Sequence, residues 1–263
     1  MEQAPLQQLI RLSGKTAIIT GGAMGIGFGI AYRLAEAGAG VVIADMNKQA
    51  ADGAAEKFSA NGWKAIAVQA DVANASHAQA MIDAAVSAFG GVDILVNNAG
   101  IYPAVPLLRL DEAAFEKVLS VNLKGAFLCT KAAAARMIEQ GRGGKVINIT
   151  SIDALHPSMA GLSAYDASKH GLWGFTKSAA LELAPHQIWV NAIAPGAIST
   201  PGTGAGTMNE GMKQAIEPFI AKIPMRRMGE PDDIGRVALF LASDLSGYMT
   251  GSQIVAGGGA LLS

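Results

Sequence analysis

Seven short apolar runs, most rich in β-branched residues, alternate along the chain with stretches whose apolar residues recur at helical spacing. No other feature restricts the fold as strongly. The runs are KTAIIT (15–20), GVVIAD (40–45), KAIAVQAD (64–71), VDILVNNAG (92–100), KVINITS (145–151), IWVNAIAPG (188–196) and SQIVAGG (252–258). Between the first two, Ile26, Ile30 and Leu34 lie on one helical face and Gly38 ends the pattern. Helical patterns also cover 48–60, 75–89, a long run over 111–140, and 163–184, then 212–222 and 232–242. Strands alternating with helices imply parallel pairing through helical crossovers. Near-continuous apolar strands imply burial on both faces. The expectation is a single α/β doubly wound domain over 13–263, with about seven parallel strands and helices on both faces. An N-terminal arm, 1–12, precedes it. The ligand of such a sheet belongs at the carboxyl ends of its strands.

Bulk properties narrow the function classes. Hydrophobic residues make up 51% and charged residues 16% of the 263, so a large core is available. A formal net charge of -1 offers no electrostatic case for nucleic acid or an anionic membrane surface. No apolar run reaches membrane-spanning length. The N-terminus lacks the apolar core of a secretory signal. The single cysteine, Cys129, cannot form an internal disulfide, which favours a reducing cytoplasm. No His/Cys set has the spacing of a metal site.

The strand ends carry the chemistry. After the first run comes TGGAMGIG (20–27), where Gly21, Gly25 and Gly27 stand at a strand-to-helix turn. Residues without Cβ let the backbone approach a pyrophosphate, and the helix N-terminus offers it free N–H groups. A ligand-free tight turn explains the same pattern. Asp45 ends the second run, where a carboxylate can bind both hydroxyls of an adenosine ribose and repel a 2′-phosphate. That favours NAD, with NADP the lesser choice; a helix cap is the plainer role. Asp71 and Val72 suit the edge and face of an adenine, although an Asx turn explains Asp71 equally well. Asn97, Asn98 and Gly100 end the fourth run, Ser151 the fifth, and Pro195, Gly196, Ile198 and Thr200 follow the sixth. In SAYDASKHG (163–171), Tyr165 and Lys169 are four residues apart and share a helical face.

These pieces, with Asn122 in VNLKG, the tail RMGEPDDIGRVALFLASD and the segment YMTGSQIV, resemble the short-chain dehydrogenase/reductase family from about Leu12 onward. The resemblance implies a Rossmann-type fold and NAD(P)-dependent oxidoreduction. It implies Tyr165 as general acid/base, with Lys169, Ser151 and Asn122 completing a tetrad. The cofactor would meet Gly21, Met24, Gly25, Ile26, Gly27, Asp45, Asp71, Val72, Asn98, Gly100, Tyr165, Lys169, Pro195, Gly196, Ile198 and Thr200. A lysine ammonium one turn away, together with the positive ring of oxidised nicotinamide, favours the phenolate, so a lowered Tyr165 is expected. Ser151 would fix the substrate oxygen, and Asn122 would support a helix kink. Three departures stand out. Ser151 precedes Tyr165 by 14 residues where 13 is commoner, VAGGG lacks an aspartate many relatives carry, and Trp189 stands where arginine is common.

Substrate selectivity belongs to loops. IDALHPSMAG (152–161), IYPAV (101–105) and a lid over 201–222 are the candidates. Ser151, Asp153, His156 and Tyr165 are the expected substrate contacts, with Ser158 and Tyr102 nearby. A sugar, polyol or other small secondary alcohol is the favoured substrate. A 3-oxoacyl or steroid-type ketone is the alternative, and a non-catalytic NAD-binding regulator is the alternative of another class. The resemblance also implies a homotetramer.

Overall fold

The computed structural model describes residues 4–201 and 217–262. Seven parallel strands form one sheet in the order β3-β2-β1-β4-β5-β6-β7. They are β1 (Thr16–Thr20), β2 (Gly40–Asp45), β3 (Ala65–Gln69), β4 (Ile94–Asn97), β5 (Gly144–Ile149), β6 (Ile188–Pro195) and β7 (Gln253–Ala256). The helices are α1 (Leu6–Leu9), α2 (Gly25–Glu36), α3 (Lys48–Ala60), α4 (Ala75–Phe89), α5 (Glu112–Leu119), α6 (Gly125–Gln140), α7 (Ser163–Leu183) and α8 (Pro231–Ala242). No described helix is long and apolar enough to cross a membrane.

Alternation along each strand divides the core in two, because successive side chains point to opposite faces. Ile19, Val41, Ile43, Ile147 and Ile193 pack on one face with Ile30 and Leu34 of α2, Phe58 of α3, and Ile234 and Leu241 of α8. Ile18, Val42, Leu95, Val146 and Val190 pack on the other with Met81 and Ile82 of α4, Met137 of α6 and Ala179 of α7. The central strands are buried throughout, while edge strands β3 and β7 are half-buried. Neighbouring strands meet in register, with Ile18 beside both Val42 and Leu95.

Three expectations change. The arm is shorter than 1–12: Leu12 is buried, and its N–H donates to the Ala37 carbonyl at 2.8 Å. An apolar residue that can close the base of the α2–β2 turn joins the core instead of solvent. The helix expected over 111–140 is α5 and α6 joined by one π turn, Ser120–Lys124, whose cause lies in Asn122. Of the lid and helix expected over 201–222, residues 202–216 lie outside the described residues.

A buried chain of polar side chains ties the middle of the sheet to the helices. Asn97 Nδ2 donates to Thr130 Oγ1 and to Asn148 Oδ1, at 2.9 and 2.8 Å. Asn148 Nδ2 donates to Thr176 Oγ1 at 2.9 Å, and that hydroxyl donates to the Leu172 carbonyl. Most polar groups this deep are bonded, and here the Asn97 Oδ1 atom is the exception. Here they fix β4 and β5 against α6 and α7.

Candidate active site

Between β1 and β4 the chain changes the direction in which it builds the sheet, so the crossover helices diverge and leave a crevice at the strand ends. A cleft of about 470 Å³ occupies it. One end is lined by Gly21, Met24, Gly25, Ile26, Asp45 and Val72, the other by Ser151, Asp153, Leu162, Tyr165 and Lys169. Asn98, Gly100, Pro195, Gly196, Ile198 and Thr200 lie between them.

The first end fits a dinucleotide. Gly21 and Gly25 have φ of +60° and +56°, which side-chain-bearing residues rarely adopt. A Cβ on Gly21 would sit 3.0 Å from Asn98 Nδ2 and 3.1 Å from Ala99 Cα. Gly27 does something else. It is outside the lining, and its Cβ would lie 2.1 Å from the Gly21 carbonyl oxygen, so it lets α2 pack onto the loop. Asn98 clasps the same loop, donating from Nδ2 to the Thr20 and Gly21 carbonyls at 2.9 and 3.0 Å. Helices α3, α4 and α5 are each capped by an Asn or Asp side chain, at Asn47, Asn74 and Asp111. Helix α2 begins at Met24 with no side-chain cap, so its first N–H groups face the cleft for a ligand oxygen to satisfy.

Asp45 ends β2 with its carboxylate fixed by two backbone donors, Ala23 N at 3.3 Å and Asn47 N at 3.0 Å. Lys48 is turned away, paired with Asp52 on the outer face of α3. Of the two readings open for Asp71, the Asx turn is the one present: its carboxylate accepts from Ala73 N at 2.9 Å and lies outside the lining, while Val72 faces the cleft.

At the second end, α7 holds Tyr165 and Lys169 one turn apart. Lys169 is buried, its Nζ donates to the Ile149 carbonyl at 2.7 Å, and it stands 5.5 Å from the Tyr165 ring centre. Burial without an anionic partner pushes Lys169 down to about 8. Burial likewise pushes the Tyr165 phenol up to about 12. A hydrogen bond with Ser151 opposes that rise, and the Asp153 carboxylate adds to it. The lowered phenol expected from a neighbouring lysine is therefore not what the chain alone provides, because burial outweighs it. Ser151 stands close enough to Tyr165, despite the longer loop, to favour its phenolate, while its own hydroxyl bonds Asp153. A 3-10 turn, Ile152–Ala154, takes up the chain immediately after the serine.

Asn122 explains the π turn. Its side chain bonds both backbone groups of Ile101, accepting from N–H at 2.8 Å and donating to the carbonyl at 2.9 Å. It also donates to Ser168 Oγ, which donates in turn to the Tyr165 carbonyl at 2.6 Å. An amide held at three points draws one residue out of the helical ladder, the local signature of a π turn. Tyr102 closes the substrate end, edge-on to Tyr165 with ring centres 6.1 Å apart. His156 does not belong here. It is exposed and absent from the lining. Two participants went unread in the sequence. Ser168 stands three residues past Tyr165, on its helical face, and the Ile149 carbonyl is the last acceptor of β5.

A family model described as Enoyl-(Acyl carrier protein) reductase matches residues 21–260. The chain is 40% identical over 252 residues to an L-rhamnose 1-dehydrogenase (NAD(P)(+)) of Azotobacter vinelandii, covering 94% of this chain and 97% of that one. It is 41% identical over 246 residues to the 3-oxoacyl-[acyl-carrier-protein] reductase FabG of Staphylococcus aureus, covering 93% and 97%. A crystal structure of a short-chain type dehydrogenase/reductase from Mycobacterium marinum superposes with a TM-score of 0.92 at 37% identity, over 98% of this chain and 100% of that one. The chain belongs to the short-chain dehydrogenase/reductase family.

Proposed function

We propose that this short-chain dehydrogenase/reductase interconverts a small hydroxylated secondary alcohol and its carbonyl, with NAD as cofactor and Tyr165 as general acid/base. The observation that carries it is the convergence of Tyr165, Ser151 and Lys169 at one end of a cleft whose other end is a glycine loop and a carboxylate. When bound, the nicotinamide ring accepts the carbon-bound hydrogen as hydride in oxidation, or returns it in reduction. Tyr165 Oη takes the hydroxyl proton in the first direction and gives it back in the second. Lys169 keeps a cation behind the phenol and stabilises it as charge develops. Asn122 fixes Ile101 and, through Ser168, the turn of α7 that carries Tyr165.

Support for a sugar or polyol comes from the polar substrate end, where Ser151, Asp153 and Tyr102 gather, and from the identity with a rhamnose dehydrogenase. Asp45 supports NAD, since its carboxylate is aimed by two backbone donors and, among the described residues, pairs with no cation. The test is a series of secondary alcohols and sugars, followed by NADH absorbance, with NAD and NADP compared for the parent and Asp45→Ser. We expect the parent to prefer NAD. The preference should fall by roughly 5-fold or more in the variant, as loss of a unit charge near a 2′-phosphate implies about 1 to 4 kcal/mol. A parent that uses both cofactors equally would overturn the role given to Asp45.

The same reading makes the protein a cytoplasmic homotetramer. Leu181 of α7 and Phe127 of α6 are exposed apolar residues on the long helices, the face such assembly would cover. Sedimentation at the mass of four chains is expected, and a monomer would refute it.

A further inference from the structure

Ser151 has a single hydroxyl proton, and Asp153 holds it. Ser151 Oγ donates to Asp153 Oδ2 at 2.7 Å and accepts from the Asp153 N–H at 3.1 Å. Asp153 Oδ1 accepts from Ser158 N at 2.9 Å. The carboxylate is 6% exposed and lines the substrate end of the cleft. Among the described residues no cation pairs with it, and the nearby Lys169 ammonium is bonded to the Ile149 carbonyl. A carboxylate accepts at about four positions and donates at none, so Asp153 has room for another donor.

A serine in this state offers lone pairs to the Tyr165 phenol and has no proton for a substrate carbonyl, the role the reaction asks of it. A substrate resolves the conflict if it brings its own donor. Oxygens on neighbouring carbons in a gauche arrangement lie about one O–H···O distance apart, roughly 3 Å. That matches the spacing of Ser151 Oγ and Asp153 Oδ2.

We infer that Asp153 is a specificity-determining residue that selects substrates bearing a hydroxyl on the carbon next to the reacting one. That hydroxyl donates to Asp153, competes with Ser151 for the carboxylate, and lets the serine proton turn to the reacting oxygen. The substrate class is then vicinal diols and their α-hydroxy carbonyl partners. A bare alcohol or ketone leaves the serine proton on Asp153. The inference rests on the dehydrogenase reading above and names the substrate feature that reading leaves open.

The test compares 2,3-butanediol with 2-butanol at fixed NAD, in the parent, Asp153→Leu and Asp153→Asn. A hydrogen bond to a charged group discriminates by about 10- to 100-fold. The parent should therefore favour the diol by roughly 10-fold or more in kcat/KM. In Asp153→Leu the ratio should fall to within about threefold of one, chiefly through KM for the diol. Should that variant not fold, Asp153→Asn decides. Its neutral amide is about half as strong an acceptor, so the ratio should drop roughly threefold. An unchanged ratio in the folded variant, or a parent preference for 2-butanol, overturns the inference. If the parent oxidises neither alcohol, the dehydrogenase reading falls, and the subsite is judged by binding. A thermal shift given by 2,3-butanediol and not by 2-butanol, and lost in the variants, supports it; equal shifts in parent and variants overturn it.

Discussion

Tyr165→Phe is expected to lower kcat/KM by roughly 1,000-fold or more while NAD affinity stays within about twofold. The substitution deletes one oxygen and keeps the ring, so the edge-on contact with Tyr102 and the packing over Lys169 survive. What disappears is the one group among the described residues placed to take or give the substrate's hydroxyl proton. His156 is exposed and outside the cleft, and Lys169 is bonded to the Ile149 carbonyl. The pH profile carries a second readout. With the phenol held above its ordinary value, oxidation should quicken as pH rises toward that titration, because the base form grows. Reduction should fade over the same range, because the acid form shrinks. Residual activity of the variant should lose this dependence. NADH absorbance gives the rates, and a fluorescence titration gives the affinity. Turnover above about a tenth of the parent's would remove Tyr165 from the mechanism. A parent that binds NAD yet oxidises no alcohol would favour the regulator instead.

Much of this was legible because it depends on pattern rather than on coordinates. Two-sided burial forces β-branched apolar runs, and these fixed the strands to within a few residues. The reversal of strand order then put the cleft at Gly21, Asp45, Ser151 and Tyr165. Features set by one residue or one torsion were not legible. A π turn adds a single residue to a helix, so the periodicity over 111–140 hardly registers it. The bonds that cause it join Asn122 to Ile101 on a distant loop. Glycine spacing does not say which Cβ a ligand would meet and which a neighbouring carbonyl would, and Gly27 proved to be the second kind. For Asp71 the pattern left an Asx turn and an adenine contact equally open, and the bond from Ala73 N favours the turn; His156 is exposed. The bond between Ser151 and Asp153 depends on a 3-10 turn that no propensity singles out.

Lys169→Met should abolish turnover and yet leave the fold at pH 7 at least as stable as the parent. Lys169 is 4% exposed, and burial lowers it from 10.5 to about 8. The unfolded chain therefore takes up this proton near pH 10.5, and the folded chain takes it up only near pH 8. Between those values the unfolded state binds more protons, so parent stability rises with pH across the window. Below about pH 8 both states are protonated and the fold carries the whole penalty, about 3 kcal/mol for a shift of that size. Methionine is a flexible apolar chain that removes the charge and fills the space. The counterweight is the lost bond to the Ile149 carbonyl, worth about 1.5 to 3 kcal/mol for a charged donor. The expected net gain at pH 7 is thus between about 0 and 2 kcal/mol, a rise of up to roughly 8 °C in melting temperature. The difference should shrink above pH 8 and vanish or reverse by about pH 10.5. Thermal unfolding followed by circular dichroism from pH 6 to 10.5 measures it. A variant clearly less stable at pH 7, with a gap that does not move with pH, would mean that the carbonyl bond and not burial sets the state of this lysine. The expected outcome instead places a stability cost at the site itself: a cation is held in an apolar setting because the chemistry of Tyr165 needs it there.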